Sequence, residues 1–412
     1  MLKFFICLFF QLHILFSLNA HTIRVGKNHQ IKSIAFALEQ SNSMDTILVF
    51  NGLYVEKNLL ITKPVFLIGK DHPILDGQFK YEVISVKSDH VTISGFTIKN
   101  SAVSSIVDYA GIKIYNSNFI NISDNIIIDS FFGIYLQYAS NCDIKNNRIS
   151  AHGIIEQNSA NGIHCWNSKN LRISNNEISG HRDGIYFEFV TNSKISNNRS
   201  LNNLRYGLHF MFSSNNHYIS NTFENNGAGV AVMFSHHVSM YKNIFKNNWG
   251  DASYGLLLKE ISDSKIISNI FFRNTSGVYM EGTSRIQVAN NQFHDNGWGL
   301  KIQANCMDIN VNKNNFIGNT FDVSTNGSLV LNNFNQNYWD KYEGYDLDHN
   351  KIGDIPYRPV SLFSVIIERN PSAMIMFRSI ISVLMDKAEK ILPSLTPEQL
   401  KDDFPRIKPF QL

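Results

Sequence analysis

Two methionines at a fixed interval are the residues in this chain best suited to chemistry. Met211 lies in "GLHFMFSSNN" (207–216), and Met233 lies 22 positions on in "GVAVMFSHHV" (229–238), in the same frame of glycine, apolar residues and Met-Phe-Ser. His209 stands two residues before Met211, and His236, His237 and Met240 follow Met233. Thioether together with imidazole suits Cu(I), whereas hard cations demand oxygen, which this stretch scarcely offers. One such residue alone would be packing. Repetition in register is what suggests a shared ion, although the same side chains would also make an adaptable apolar surface for another protein. Which reading holds depends on where these side chains point.

The element that positions them is a repeat. A motif of glycine, apolar, any, apolar starts at Gly111, Gly133, Gly162, Gly184, Gly207, Gly229, Gly255, Gly277 and Gly299. The spacings are 22, 29, 22, 23, 22, 26, 22 and 22, the two long ones marking insertions around "AHGIIEQNSAN" and "WGDASY". A second anchor, Asn-x-Ile/Phe, recurs in phase at Asn125, Asn147, Asn176, Asn198, Asn221, Asn243, Asn269, Asn291 and Asn314. Such a repeat, with strand-type alternation and no helical period, predicts an all-β fold: a right-handed parallel β-helix of about 22-residue coils, three short strands to the coil. Stacked asparagines would form a ladder of satisfied buried amides.

Alternation then assigns the faces. Positions one and three after each glycine are apolar and point inward; positions two and four, including His209, Met211 and Met233, point outward. His164 and Trp166 extend the outer strip as a contact stripe. Residues 29–40 (HQIKSIAFALEQ) have helical spacing and suit a cap over the open sheet edge at the N-terminal end, ahead of irregular first coils in 45–61 and 64–77.

Secreted β-helices that act on glycans offer a rival reading, a carbohydrate-active lyase or epimerase type, which needs cooperating carboxylates. The outer positions hold only Glu188 and Glu281, four coils or roughly 20 Å apart. Asp183 in "GHRDG" is the best single acid, but an aspartate before glycine more commonly forms a turn. A scaffold that only contacts partners is a third reading.

Residues 1–20 read as a secretory leader: Lys3, an apolar run from Phe4 to Leu18 and a small residue at Ala20, with His13 interrupting what is too short for a span. Cys142, Cys165 and Cys306 would remain, an odd number that implies free structural thiols. A net charge of +3 without basic runs argues against a nucleic-acid partner.

Residues 21–336 make the β-helix, and 337–412 an acidic loop and helical extension. Here the words "NYWDKYEGYDLDHNKIGDIPYRP", "SLFSVIIERNP" and "LMDKAEKILPSLTPEQLKDDFP", with the paired "GLHFMFS" and "GVAVMFS" coils, resemble the nitrous oxide reductase maturation family NosD. The resemblance implies a periplasmic, non-enzymatic copper-handling protein of denitrification. Its partners would be the membrane and ATPase subunits of an ABC transporter, a copper chaperone and nitrous oxide reductase, with association at the inner membrane through the transporter. No G-x-x-x-x-G-K-[ST] segment is present, so ATP would belong to another chain. His209, Met211 and Met233 match the copper-bearing coils, with His236 and His237 beside them.

Asp346, Asp348, Asn350 and Asp354 alternate as in a calcium loop, but Lys351 and Tyr357 stand where an EF-hand has glycine and glutamate. A hydrogen-bonded loop is the plainer alternative. Residues 371–392 predict one helix between Pro371 and Pro393, too charged to span a bilayer, which either caps the last coil or docks on the transporter.

Overall fold

The computed structural model describes residues 21–153, 156, 159–327, 331–377, 379–391 and 400–411; the expected leader lies outside them. The chain winds as a right-handed parallel β-solenoid. Each coil adds one strand to each of three sheets, of 14, 13 and 12 strands, so sheet neighbours are usually three strands apart in sequence. The inward positions are as expected: Leu208, Phe210, Val230 and Val232 are wholly buried.

Glycine starts each repeat because coils touch there. A Cβ on Gly207 would stand 2.7 Å from the Gly229 carbonyl oxygen and 2.8 Å from Asn226 Nδ2. All nine anchor asparagines form the ladder. Asn221 is typical: its Nδ2 donates to Asn243 Oδ1 and to the Ile195 carbonyl, both at 3.0 Å, and its Oδ1 accepts from the Asn198 main-chain N–H at 2.9 Å. Two further columns were not read from the sequence. A second asparagine ladder runs from Asn203 through Asn226, Asn248, Asn274 and Asn296 to Asn319. Beside it Phe223, Phe245, Phe271, Phe293, Phe316 and Trp339 stack inside the coil at centroid distances of 4.2–5.5 Å.

Helix α1 (Ile34–Gln40) covers the N-terminal end, shorter than the expected 29–40. Ser33 is its N-cap, and Glu56 accepts from the Ile34 and Ala35 N–H groups, so the helix can start only there.

The expected single helix 371–392 is broken. After helix α2 (Leu362–Arg369) comes a 3₁₀ segment, Pro371–Met376, and helix α3 (Ile380–Ile391) begins four residues later. Phe377 leaves helical geometry at ψ 135° and places its ring 5.9 Å from Phe321 and 6.3 Å from Phe363. The α2 residues Phe363 and Ile367 pack on Phe321 at the outer face of the 12-stranded sheet, with Trp298 beside them. The end of the coil is closed by other segments. Val360 bridges to Val323, Asp402 to Phe334 and Arg406 to Tyr338, one for each sheet. Buried Asp402 terminates the main ladder, accepting from Asn337 N–H, Asn337 Nδ2 and Trp339 Nε1 at 2.8, 3.0 and 3.2 Å.

Candidate metal-binding strip on the outer sheet

Strands Tyr206–Met211 and Ala228–Met233 pair in parallel, with Met211 opposite Met233 and His209 opposite Ala231. Neighbouring strands lie about 4.8 Å apart, so both thioethers can reach one ion. Both methionines are half-buried on the outer face, between Glu188 on one side and Lys259 on the other.

The column through His209 points outward yet is covered. Tyr135, His164, His209, Ala231 and Leu257 are all buried. Where the residue preceding the glycine is aromatic it closes over its neighbours: Phe132 lies 5.1 Å from Tyr135 and 5.2 Å from His164, and Tyr206 lies 4.8 Å from His209. His164 is therefore not the exposed contact residue expected. It bonds to Asn161 Nδ2 at 2.8 Å, and burial, aided by the Arg182 charge, pushes its imidazole down to about 3, so it stays neutral. Trp166 is half-buried beside Tyr138, with centroids 4.7 Å apart.

Asp183 is the residue whose role sequence reading missed. It begins a strand rather than forming a turn, and its side chain is fully buried. Arg205 grips the carboxylate with Nε and Nη2 at 3.1 and 3.0 Å, and the Tyr206 N–H donates at 3.2 Å. Burial opposes its charge, but His209 and Arg205 outweigh that and hold it below the usual carboxylate range. His209 turns Nδ1 toward this group, 3.8 Å from Asp183 Oδ2 and 3.4 Å from Arg205 Nη2. Its Nε2 is buried with no partner. The carboxylate thus stands at ion-pair rather than hydrogen-bond distance from one imidazole nitrogen, while the other nitrogen has no partner. A carboxylate near the far nitrogen is a common companion of a metal-ligating histidine.

His236 and His237 sit exposed on the turn after Met233, their Nδ1 atoms 2.8 Å apart. Met240 is wholly buried in the core and cannot serve as an outer ligand, because it occupies an inward position of its strand. Among the described residues no three histidine, cysteine, aspartate or glutamate side chains gather as a metal site, so a metal here depends on the thioethers. Asp346, Asp348, Asn350 and Asp354 form an exposed loop that satisfies itself. Asp346 accepts from the Asn350 and Lys351 N–H groups at 3.0 and 2.8 Å, Asn350 Oδ1 from Ile352 N–H at 2.7 Å, and Asp354 from Leu347 N–H at 2.7 Å. The three remaining cysteines are free and buried.

One more feature adjoins the sulfurs. Phe189, Phe212 and Phe234 hold left-handed backbone, at φ 55°, 49° and 50°. Their half-exposed rings stack at 5.2 and 5.1 Å. Asparagine or glycine usually fills such positions, and a phenylalanine there costs roughly 1–2 kcal/mol. The only sequence signal was the Phe of Met-Phe-Ser.

Residues 38–154 and 146–344 match the model of a family described as Periplasmic copper-binding protein (NosD). The chain belongs to the NosD family. A relative from Pseudomonas aeruginosa, named Probable ABC transporter binding protein NosD, is 25% identical over 125 residues, 30% of this chain and 29% of that protein. One of the same name from Stutzerimonas stutzeri is 23% identical over 124 residues, 29% of this chain and 28% of that protein. The matched region thus spans under a third of either relative. Among solved structures, the pre-mature bacteriophage phi29 gene product 12 shares the solenoid fold at 12% identity and a TM-score of 0.51, covering 69% of this chain and 51% of that one. The A-module of the Azotobacter vinelandii mannuronan C-5 epimerase AlgE6 aligns at 15% identity and a TM-score of 0.49, over 71% and 85% of the two chains. Among the described residues no helix is long and apolar enough to cross a membrane.

Proposed function

We propose that this protein carries copper as cargo in the periplasm, holding Cu(I) between His209 Nε2 and the thioethers of Met211 and Met233. The observation that carries the reading is the buried, partnerless Nε2, with Asp183 at ion-pair distance from Nδ1, on the same strand face as the in-register methionine pair. Two thioethers and an imidazole favour Cu(I) over hard cations, which would need more oxygen than the neighbouring Glu188 alone offers. The exposed pair His236 and His237, three residues beyond Met233, provides a second, accessible step for entry or exit.

In this reading the protein is not an enzyme. It serves nitrous oxide reductase maturation by receiving copper from a chaperone and working with an ABC transporter whose membrane and ATPase subunits are separate chains. Ile375, Ile380 and Leu384 stand exposed on the C-terminal helices and suit a transporter contact that would hold the protein at the inner membrane. A competition titration with a chromogenic Cu(I) chelator under reducing conditions tests the site. The Met211→Leu/Met233→Leu double variant, which keeps side-chain volume, should bind at least about tenfold more weakly than the parent, or about 1.4 kcal/mol. Equal affinities would dismiss the strip as the copper site, and turnover of a uronate polymer would favour the glycan-active reading instead.

A further inference from the structure

The insertion around "WGDASY" leads into strand Tyr254–Lys259, and its first residues supply no ligand to the metal strip. It adds residues between Gly229 and Gly255, and it leaves Trp249 64% exposed. The lip it forms is pinned: Thr275 Oγ1 accepts from Gly250 N–H and donates to the Gly250 carbonyl, both at 2.9 Å. Between the lip and the wall lies a groove of about 370 Å³, lined by Arg205, Tyr206, Trp249, Asp251 and Ser253 among others. That volume falls in the range of about 300–1,000 Å³ common for small-ligand sites.

Gly227, Ala228, Gly250 and Ala252 also line it, and such small side chains let a ligand approach the main chain closely. Each wall group has a separate chemistry. Trp249 offers an exposed ring as a platform. The Arg205 guanidinium, 4.9 Å from the Tyr206 ring, is partly exposed with donors beyond the two that hold Asp183. Ser253 is only 2% exposed, and its Oγ has no partner.

We propose that this groove binds a uronic acid residue of a glycan, with the pyranose face on Trp249, the carboxylate at Arg205 and ring hydroxyls on Ser253 and Asp251. A carboxylated apolar side chain from a protein would satisfy Trp249 and Arg205 but leave Ser253 and Asp251 unmatched. A sugar has hydroxyls for both. Because Arg205 also holds Asp183 behind His209, ligand at the groove and copper on the strip share one guanidinium.

Calorimetric titration of the full chain with glucuronate, a tetragalacturonate and neutral maltotetraose tests the proposal, with Trp249→Ala and Ser253→Ala as variants. Saturable binding of uronates is expected, weakened about tenfold or more, at least about 1.4 kcal/mol, for the neutral sugar and for either variant. Binding of the tetramer alone places the residue within a chain; binding of the monomer as well allows the free acid. Absence of saturable uronate binding, equal binding of maltotetraose, or unchanged binding by the variants would overturn it. Should Trp249→Ala fail to fold, as seen by circular dichroism, Ser253→Ala decides alone.

Discussion

Replacing His181 with asparagine should make the fold less sensitive to acid. His181 is wholly buried, and neither ring nitrogen has a partner. Burial pushes its imidazole down from 6.5 to about 4. On acidification the unfolded chain therefore takes up the proton first. The contribution to stability is full above pH 6.5 and is lost as pH falls toward 4. Between pH 7 and pH 5 this one group removes about 2 kcal/mol. His164, held at about 3 chiefly by burial, removes about as much again. Asp322, pushed up to about 6 by burial, has the opposite sign and returns roughly 1 kcal/mol over the same interval. Comparing parent and variant cancels both. The new amide would lie in the column of Asn203, whose Oδ1 already accepts from the His181 main-chain N–H at 3.2 Å, so it gains a partner that imidazole lacks. Urea unfolding at pH 7 and pH 5 should show the parent losing about 2 kcal/mol more than His181→Asn. Equal losses would refute the assignment of a neutral, acid-labile histidine to this column.

Asn221→Ala should cost roughly 2–6 kcal/mol in the same assay, because it strips partners from the Asn198 N–H and the Ile195 carbonyl inside the coil. Asp402→Ala should destabilise by about 3 kcal/mol or more and raise amide exchange across 333–339, since Asn337 and Trp339 lose their charged acceptor. Asp183→Asn should weaken Cu(I) binding by about 10–100-fold without changing the number of ions bound, as read by chelator competition.

The fold was legible because its strongest constraints are local and repeated. Gly207 and its equivalents are fixed by carbonyl contact between coils, and Asn221 and its equivalents by amide stacking, so each recurs once per turn. The inner phenylalanine stack was half visible: Phe223, Phe245, Phe271, Phe293 and Phe316 belong to the Asn-x-Phe anchor, but stacking appears only when coils are superposed. Asp183 was misread because a local rule for aspartate before glycine competes with a partner, Arg205, one coil away. The C-terminal closure could not be seen at all. Asp402 meets partners 63–66 residues earlier, and no periodicity links them. Outward direction was read correctly for His209, but not its burial, which depends on the aromatic residues Tyr186 and Tyr206 from two coils.

Copper K-edge X-ray absorption on the Cu(I)-loaded protein tests the sulfur-and-imidazole strip most directly. A sulfur shell together with imidazole scattering is expected in the parent, with loss of that sulfur shell in Met211→Leu/Met233→Leu. A shell of nitrogen and oxygen alone in the parent, or a sulfur shell unchanged by the double substitution, would contradict it.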